Sequence, residues 1–71
     1  MLNLTGRAAR LRYLPGTYRL IADGDYVECA VTRQRIPLPA LRYWSHELQE
    51  AYASAEVATR RYVEARAEGL L

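Results

Sequence analysis

The chain has no phenylalanine, no lysine and a single cysteine. Each absence excludes something. One cysteine cannot close an internal disulfide, and alone it cannot build a zinc site. Without phenylalanine, the bulk of a core must come from six tyrosines and one tryptophan, rings that bury much area yet keep a polar tip. Without lysine, all ten basic residues are arginine, the planar, bidentate donor that suits phosphate and carboxylate. A GC-rich genome is the plainer explanation of that bias. No apolar run approaches the roughly 18 residues of a membrane span. The start of the chain, 1–12, is arginine-bearing and has no long apolar core, so no signal peptide is expected. Paired carboxylates, a glycine-rich phosphate loop and metal-binding spacings are also missing. Size is a further limit. A chain of 71 residues makes one domain at most, and such a chain buries only roughly 60% of the surface its unfolded form exposes. A domain so thin has little interior for a ligand pocket of ordinary size. Neither an enzyme, a cofactor nor a small-molecule substrate is expected, and a soluble cytoplasmic protein is the default reading.

What is present is unevenly distributed. Residues 1–44 carry seven arginines against Asp23, Asp25 and Glu28, a net of +4; residues 45–71 carry three arginines against five glutamates, a net of −2. The segment 1–9 shows no period and reads as a flexible arm. From Arg10 the chain alternates. Strands are expected at about 10–14, 17–22 and 26–31, with a short edge segment at 35–38 that carries Pro37. Pro15-Gly16 marks the first turn and Asp23-Gly24 a second, of hairpin type I′. Two-residue loops at both places put Tyr13 opposite Tyr18, Leu11 opposite Leu20, Leu20 opposite Val27 and Tyr18 opposite Cys29. One face then collects Leu11, Tyr13, Tyr18, Leu20, Val27, Cys29 and Val31, and a turn at Arg33-Gln34 adds Ile36 and Leu38. Arg10, Arg12, Arg19 and Glu28 share the other face, with Arg19 opposite Glu28 and Arg12 opposite Arg19.

From Ser45 the spacing becomes helical. Ser45 is a natural N-cap, and Leu48, Ala51, Tyr52, Ala55, Ala58, Tyr62 and Ala65 fall in one stripe. Glu56 and Arg60 are an i,i+4 pair. Gly69 is a C′ stop. The expected helix is 45–68. The expected fold is α+β: a small antiparallel meander of three to four strands, followed by one long C-terminal helix packed on its apolar face. Residues 10–71 form the single domain.

Three groups of residues invite a functional reading, each beside a plainer one. Cys29 falls on the apolar face, where a free cysteine behaves as a small hydrophobe; as a metal or redox centre its only company is His46. Arg10, Arg12 and Arg19, joined by Arg33, Arg35 and Arg42, read as a solvated surface or as an anion platform for nucleic acid or acidic protein. The helix stripe reads as packing on the chain's own sheet, but its far end lacks obvious cover, which marks Val57, Ala58, Tyr62, Val63 and Ala65 as an interface with another chain. Ser45 and His46 are neighbours that point apart, so they form no nucleophile–base pair.

The segments Leu-Arg-Tyr-Leu (11–14), Cys-Ala-Val-Thr (29–32), Ile-Pro-Leu (36–38), Leu-Arg-Tyr-Trp-Ser (41–45) and Gln-Glu-Ala-Tyr (49–52) together resemble a family of short bacterial proteins, typical of alphaproteobacteria, catalogued as domain of unknown function 2093. The resemblance runs from about Arg10 to Arg61 and implies no activity. The family pattern commonly has Gly after Cys-Ala-Val-Thr, where this chain has Arg33, and Pro15 stands where Asp would give a cleaner hairpin turn. The function expected first is a non-catalytic protein–protein interaction module or accessory subunit, self-associating through the helix as a homodimer or larger assembly. Contact with RNA or DNA through the arginines, in a ribosome-associated role for instance, is the alternative. A metal or redox site at Cys29 is the third.

Overall fold

A computed structural model describes residues 6–71. The first half of the expected arm, 1–5, lies outside the described residues. The rest of it is held in place. The Ala9 N–H donates to the Tyr26 carbonyl at 2.7 Å, the Asp25 N–H donates to the Arg7 carbonyl at 2.7 Å, and Ala9 is buried.

The architecture is α+β, as the alternation and the C-terminal helical spacing predict. Six short strands form three separate antiparallel hairpins, and one helix follows. β1 (Arg10–Leu14) pairs with β2 (Thr17–Ala22), β3 (Tyr26–Glu28) with β4 (Arg35–Pro37), and β5 (Tyr43–Ser45) with β6 (Glu50–Tyr52); α1 is Ala55–Ala67. A 3₁₀ turn, Leu38–Ala40, joins the second hairpin to the third.

The first hairpin matches the sequence. Leu14 faces Thr17 across the Pro15-Gly16 loop, Tyr13 faces Tyr18, Arg12 faces Arg19 and Leu11 faces Leu20. Gly16 has φ 75, the positive value required at the third position of a type II turn. The register slips between Arg10 and Leu11, so Ile21 is an extra residue in β2, a bulge.

The continuous meander is corrected. β2 and β3 are not paired, so Leu20–Val27, Tyr18–Cys29 and Arg19–Glu28 are not cross-strand partners. Glu28 faces Arg35 instead, and Val27 faces Ile36. The reason lies at Asp23-Gly24. Gly24 does not take the positive φ of a type I′ turn. It is needed because the backbone of Arg7–Ala9 runs directly against it, and a Cβ there would strike Ala9. The incoming N-terminal segment takes the edge of β3 that β2 was expected to occupy, with Ala8 bridged in parallel to Tyr26.

The 24-residue helix from Ser45 is also corrected. Ser45 does accept from an amide three residues on, Leu48 N–H at 3.1 Å, as an N-cap would. Gln49 then adopts φ 55, which no helix interior allows, and the chain folds back as β6. The true N-cap is Ser54, whose hydroxyl accepts from Val57 N–H at 3.2 Å. The stop is as expected. Gly69, at φ 77, donates to Arg66, and Leu70 donates to Ala65, the paired bonds of a Schellman motif.

The core gathers where the hairpins meet. Tyr13, Val27, Cys29, Ile36, Leu41 and Ala51 are buried together, with Trp44 and Val57 packed against them. Leu20 and Val31, assigned to the apolar face, are 53% and 38% exposed. Leu20 loses its cover because β3 is not beside it, and Val31 sits in the turn that ends β3.

Candidate interaction surface

Two turns of similar build organise the middle of the chain. In the first, Cys29 Sγ accepts from Thr32 N–H at 3.4 Å, Arg33 N–H donates to the Cys29 carbonyl at 3.0 Å, and Arg33 takes φ 64. In the second, Ser45 Oγ accepts from Leu48 N–H and Gln49 takes φ 55. Each turn thus has a side-chain acceptor at its start and a left-handed residue four positions on.

Cys29 is completely buried at the first of these turns. Burial pushes its thiol up. Hydrogen bonds from the Thr32 hydroxyl and from the N–H groups of Thr32, Val31 and Ala53 outweigh that and hold it below the ordinary thiol value. A sulfur so enclosed offers no approach to a substrate. His46 is exposed in the other turn, on a different hairpin. Among the described residues, no three of His, Cys, Asp and Glu come together as metal ligands.

The second turn connects everything else. Gln49, part of the Gln-Glu-Ala-Tyr segment but given no role by the sequence, uses its side-chain amide as a substitute strand. Its Oε1 accepts from Tyr13 N–H at 3.0 Å and its Nε2 donates to the Tyr13 carbonyl at 2.8 Å. Trp44 Nε1 donates to the Leu14 carbonyl at 2.9 Å, and its ring meets Tyr18 edge-on at 5.6 Å and Tyr13 at 6.4 Å. Trp44 therefore covers the first hairpin. Burial, reinforced by the neighbouring Tyr18, raises the Tyr13 hydroxyl above its ordinary pKa.

The helix is fastened to β6 by a second polar group. Arg61 Nε and Nη2 reach the two carboxylate oxygens of Glu50 at 3.1 and 3.4 Å, and the Tyr52 hydroxyl donates to Glu50 Oε1 at 2.9 Å. Burial, then the hydrogen bond to Glu50 and its charge, push the Tyr52 phenol up to about 12.

Between the β5–β6 turn and α1 a groove of about 300 Å³ remains open, floored by Trp44, Leu48 and Ala58 and rimmed by His46, Tyr62 and Leu71. A shallower hollow of about 390 Å³ lies on the other side of Trp44, beside Gly16, Arg42 and Tyr43. Of its lining residues Tyr62 is 49% and Leu71 39% exposed, and their chain neighbours Val63 and Leu70 are also open. Of the five residues expected at an interface, Ala58 and Tyr62 line the groove, Val63 lies open on the helix, and Val57 packs mainly inward. Ala65 is fully buried within the chain and has no surface to offer a second one. The shorter helix explains this: α1 spans about 20 Å, not 36 Å, so less of it overhangs the strands.

The arginines do not form one platform. Arg10, Arg12 and Arg19 share the exposed face of the β1–β2 ribbon. Arg33 and Arg35 belong to the second hairpin, where Arg35 stacks over the Tyr26 ring at 4.6 Å. Arg42 precedes β5.

No helix among the described residues is long and apolar enough to cross a membrane. No match was found among the curated proteins or among the solved structures. A family model described as an uncharacterized protein conserved in bacteria matches residues 20–61, more than half of the chain, from within β2 to the middle of α1. That span contains the Cys-Ala-Val-Thr, Ile-Pro-Leu, Leu-Arg-Tyr-Trp-Ser and Gln-Glu-Ala-Tyr segments, and with them both of the similar turns. The chain belongs to this bacterial family, DUF2093.

Proposed function

We propose that this protein is a non-catalytic interaction module, an accessory subunit whose helix side joins a second protein chain. The observation that carries the reading is the groove between the β5–β6 turn and α1, whose lining residues Tyr62 and Leu71 are left open, with Val63 and Leu70, next to them in the chain, exposed as well. Apolar side chains that cluster around a groove mark association surfaces, whereas single scattered ones do not. A second copy of the chain is the partner to test first. Sedimentation equilibrium from low to high micromolar concentration is the measurement. Self-association is expected, and Tyr62→Glu or Val63→Glu, both on the solvent side, should abolish it while leaving the thermal midpoint nearly unchanged. A stable monomer across that range overturns self-association. We also infer a cytoplasmic location, since a lone unpaired thiol suits a reducing compartment.

A second reading, contact with RNA or DNA phosphates, draws on the Arg12–Arg19 pair. These like charges face each other directly, and no carboxylate lies within ion-pair distance of either among the described residues. It predicts binding that weakens steeply with salt.

A further inference from the structure

The two edges of the β1–β2 ribbon are treated differently. A two-residue loop makes the flanking pair, Leu14 and Thr17, exchange both backbone hydrogen bonds, and the pattern then alternates. Arg12 and Arg19 therefore bond to each other, while Tyr13 and Leu11 on β1, and Tyr18 and Leu20 on β2, direct their N–H and C=O groups outward. Gln49 confirms the phase, because it satisfies both outward groups of Tyr13. At Tyr13 that edge of β1 is closed, whereas the outward groups of Leu11 meet no partner among the described residues. On β2 the equivalent groups of Tyr18 and Leu20 meet no partner among the described residues, and the edge strand is solvent-exposed at Thr17, Arg19, Leu20 and Ile21.

We propose that the open edge of β2 is a strand-addition site for an extended acidic segment of another protein. Backbone pairing at Tyr18 and Leu20 supplies the docking, and alternate carboxylates of the incoming strand meet Arg19 and, beyond it, Arg12 on the same face. Charge decides the occupant. A second copy could pair its own β2 antiparallel about Leu20, but both Arg12–Arg19 pairs would then crowd one face of a four-stranded sheet. Like charges placed side by side oppose that arrangement, whereas an acidic strand relieves the repulsion already present within the ribbon. The Ile21 bulge ends the regular edge and limits the pairing to Thr17–Leu20. This site is separate from the helix groove, and either can fail without the other.

The probe is a short labelled peptide in which Glu alternates with Val, titrated into the full-length protein and followed by fluorescence anisotropy. Saturable binding is expected. N-methylating the peptide amides that face β2 should weaken it about tenfold or more, through loss of the backbone hydrogen bonds. Arg19→Ser should weaken it by a similar factor and flatten its salt dependence, and a peptide with Lys in place of Glu should not bind. Because N-methylation alters only the ligand, that comparison does not depend on how well a protein variant folds. Equal binding of the methylated peptide overturns the proposal, as does absence of binding at low salt. Displacement of the peptide by a short oligonucleotide that itself binds more tightly also overturns it and assigns the ribbon to nucleic acid. A dimer that Leu20→Pro dissolves would give the edge to a second copy and likewise overturn it.

Discussion

Arg33 and Gln49 both hold positive φ, and they manage the cost differently. A residue with a Cβ in the left-handed region loses roughly 1–2 kcal/mol. Gln49 recovers it through three side-chain hydrogen bonds, two to Tyr13 and one to the His46 carbonyl at 2.6 Å. Arg33 is exposed, and its turn is closed by backbone bonds that any residue would make. Arg33→Gly should therefore stabilise the fold. Glycine's greater freedom in the unfolded chain takes back part of the gain, leaving about 0.5–1 kcal/mol, a rise of a few degrees in the thermal midpoint. An unchanged or lower midpoint would show that the Arg33 side chain has a structural role. The resemblance read from the sequence, in which glycine commonly follows Cys-Ala-Val-Thr, drew attention to this turn without predicting its strain. The role of Gln49 was not legible, because a side-chain amide that replaces a strand 36 residues away leaves no local signature. Gly24 was misread for a related reason. Asp-Gly signals a turn through glycine's conformational freedom, but here the glycine provides room for the backbone of Arg7–Ala9.

At the scale of elements, Ser45 and Ser54 show how far local chemistry reaches. Both hydroxyls accept from an N–H three residues on, at 3.1 and 3.2 Å, yet one starts a hairpin turn and the other a helix. The difference comes from tertiary contacts. Tyr43 and Trp44 pair with Tyr52 and Ala51, and Gln49 is drawn to β1. The spacing of Leu48, Ala51 and Tyr52 fits a helix equally well, so the third hairpin was hidden inside a helical pattern. The first hairpin, fixed by Pro15-Gly16 and alternation alone, was read correctly from Leu11 to Leu20, but the bulge at Ile21 was not. The joint between β6 and α1 makes an alkaline prediction. Because the fold favours the protonated Tyr52 phenol, its contribution is complete below the ordinary tyrosine pKa of about 10. As pH rises from there toward about 12, the unfolded chain loses its proton first and the stabilisation is lost. Tyr13, also raised, adds to the slope. The absence of lysine keeps this window clear of amine titration. Denaturant midpoints should fall between pH 10 and 12, and Tyr52→Phe should flatten the fall. An equally steep fall in the variant would remove Tyr52 as its cause.

The described residues extend 38 Å by 22 by 16 Å, and beside α1 they form three two-stranded hairpins that could not stand alone. They are joined by a small shared core, by the parallel bridge of Cys29 to Ala51, and by the side chains of Trp44 and Gln49 that reach the first hairpin. The β1–β2 ribbon is thus joined to the third hairpin by side chains and not by a backbone ladder. A chain of this size has a total stability of about 4–10 kcal/mol. Trp44 is half-buried, so Trp44→Ala should cost about 2–4 kcal/mol through lost ring contacts and a lost hydrogen bond to Leu14. Trp44→Phe keeps a ring against Tyr13 and Tyr18 and should cost less, about 1–2 kcal/mol. The distribution of the damage is the sharper readout. Native-state hydrogen exchange should show the amides of Thr17 and Arg19, which bond within the ribbon, speeding up in Trp44→Ala, while those of Val57 to Arg61 in the helix change less. If every protected amide accelerates by the same factor, the ribbon is not a separable unit. Its open edge would then be held as rigidly as the core, and a strand docking there would find it already in place.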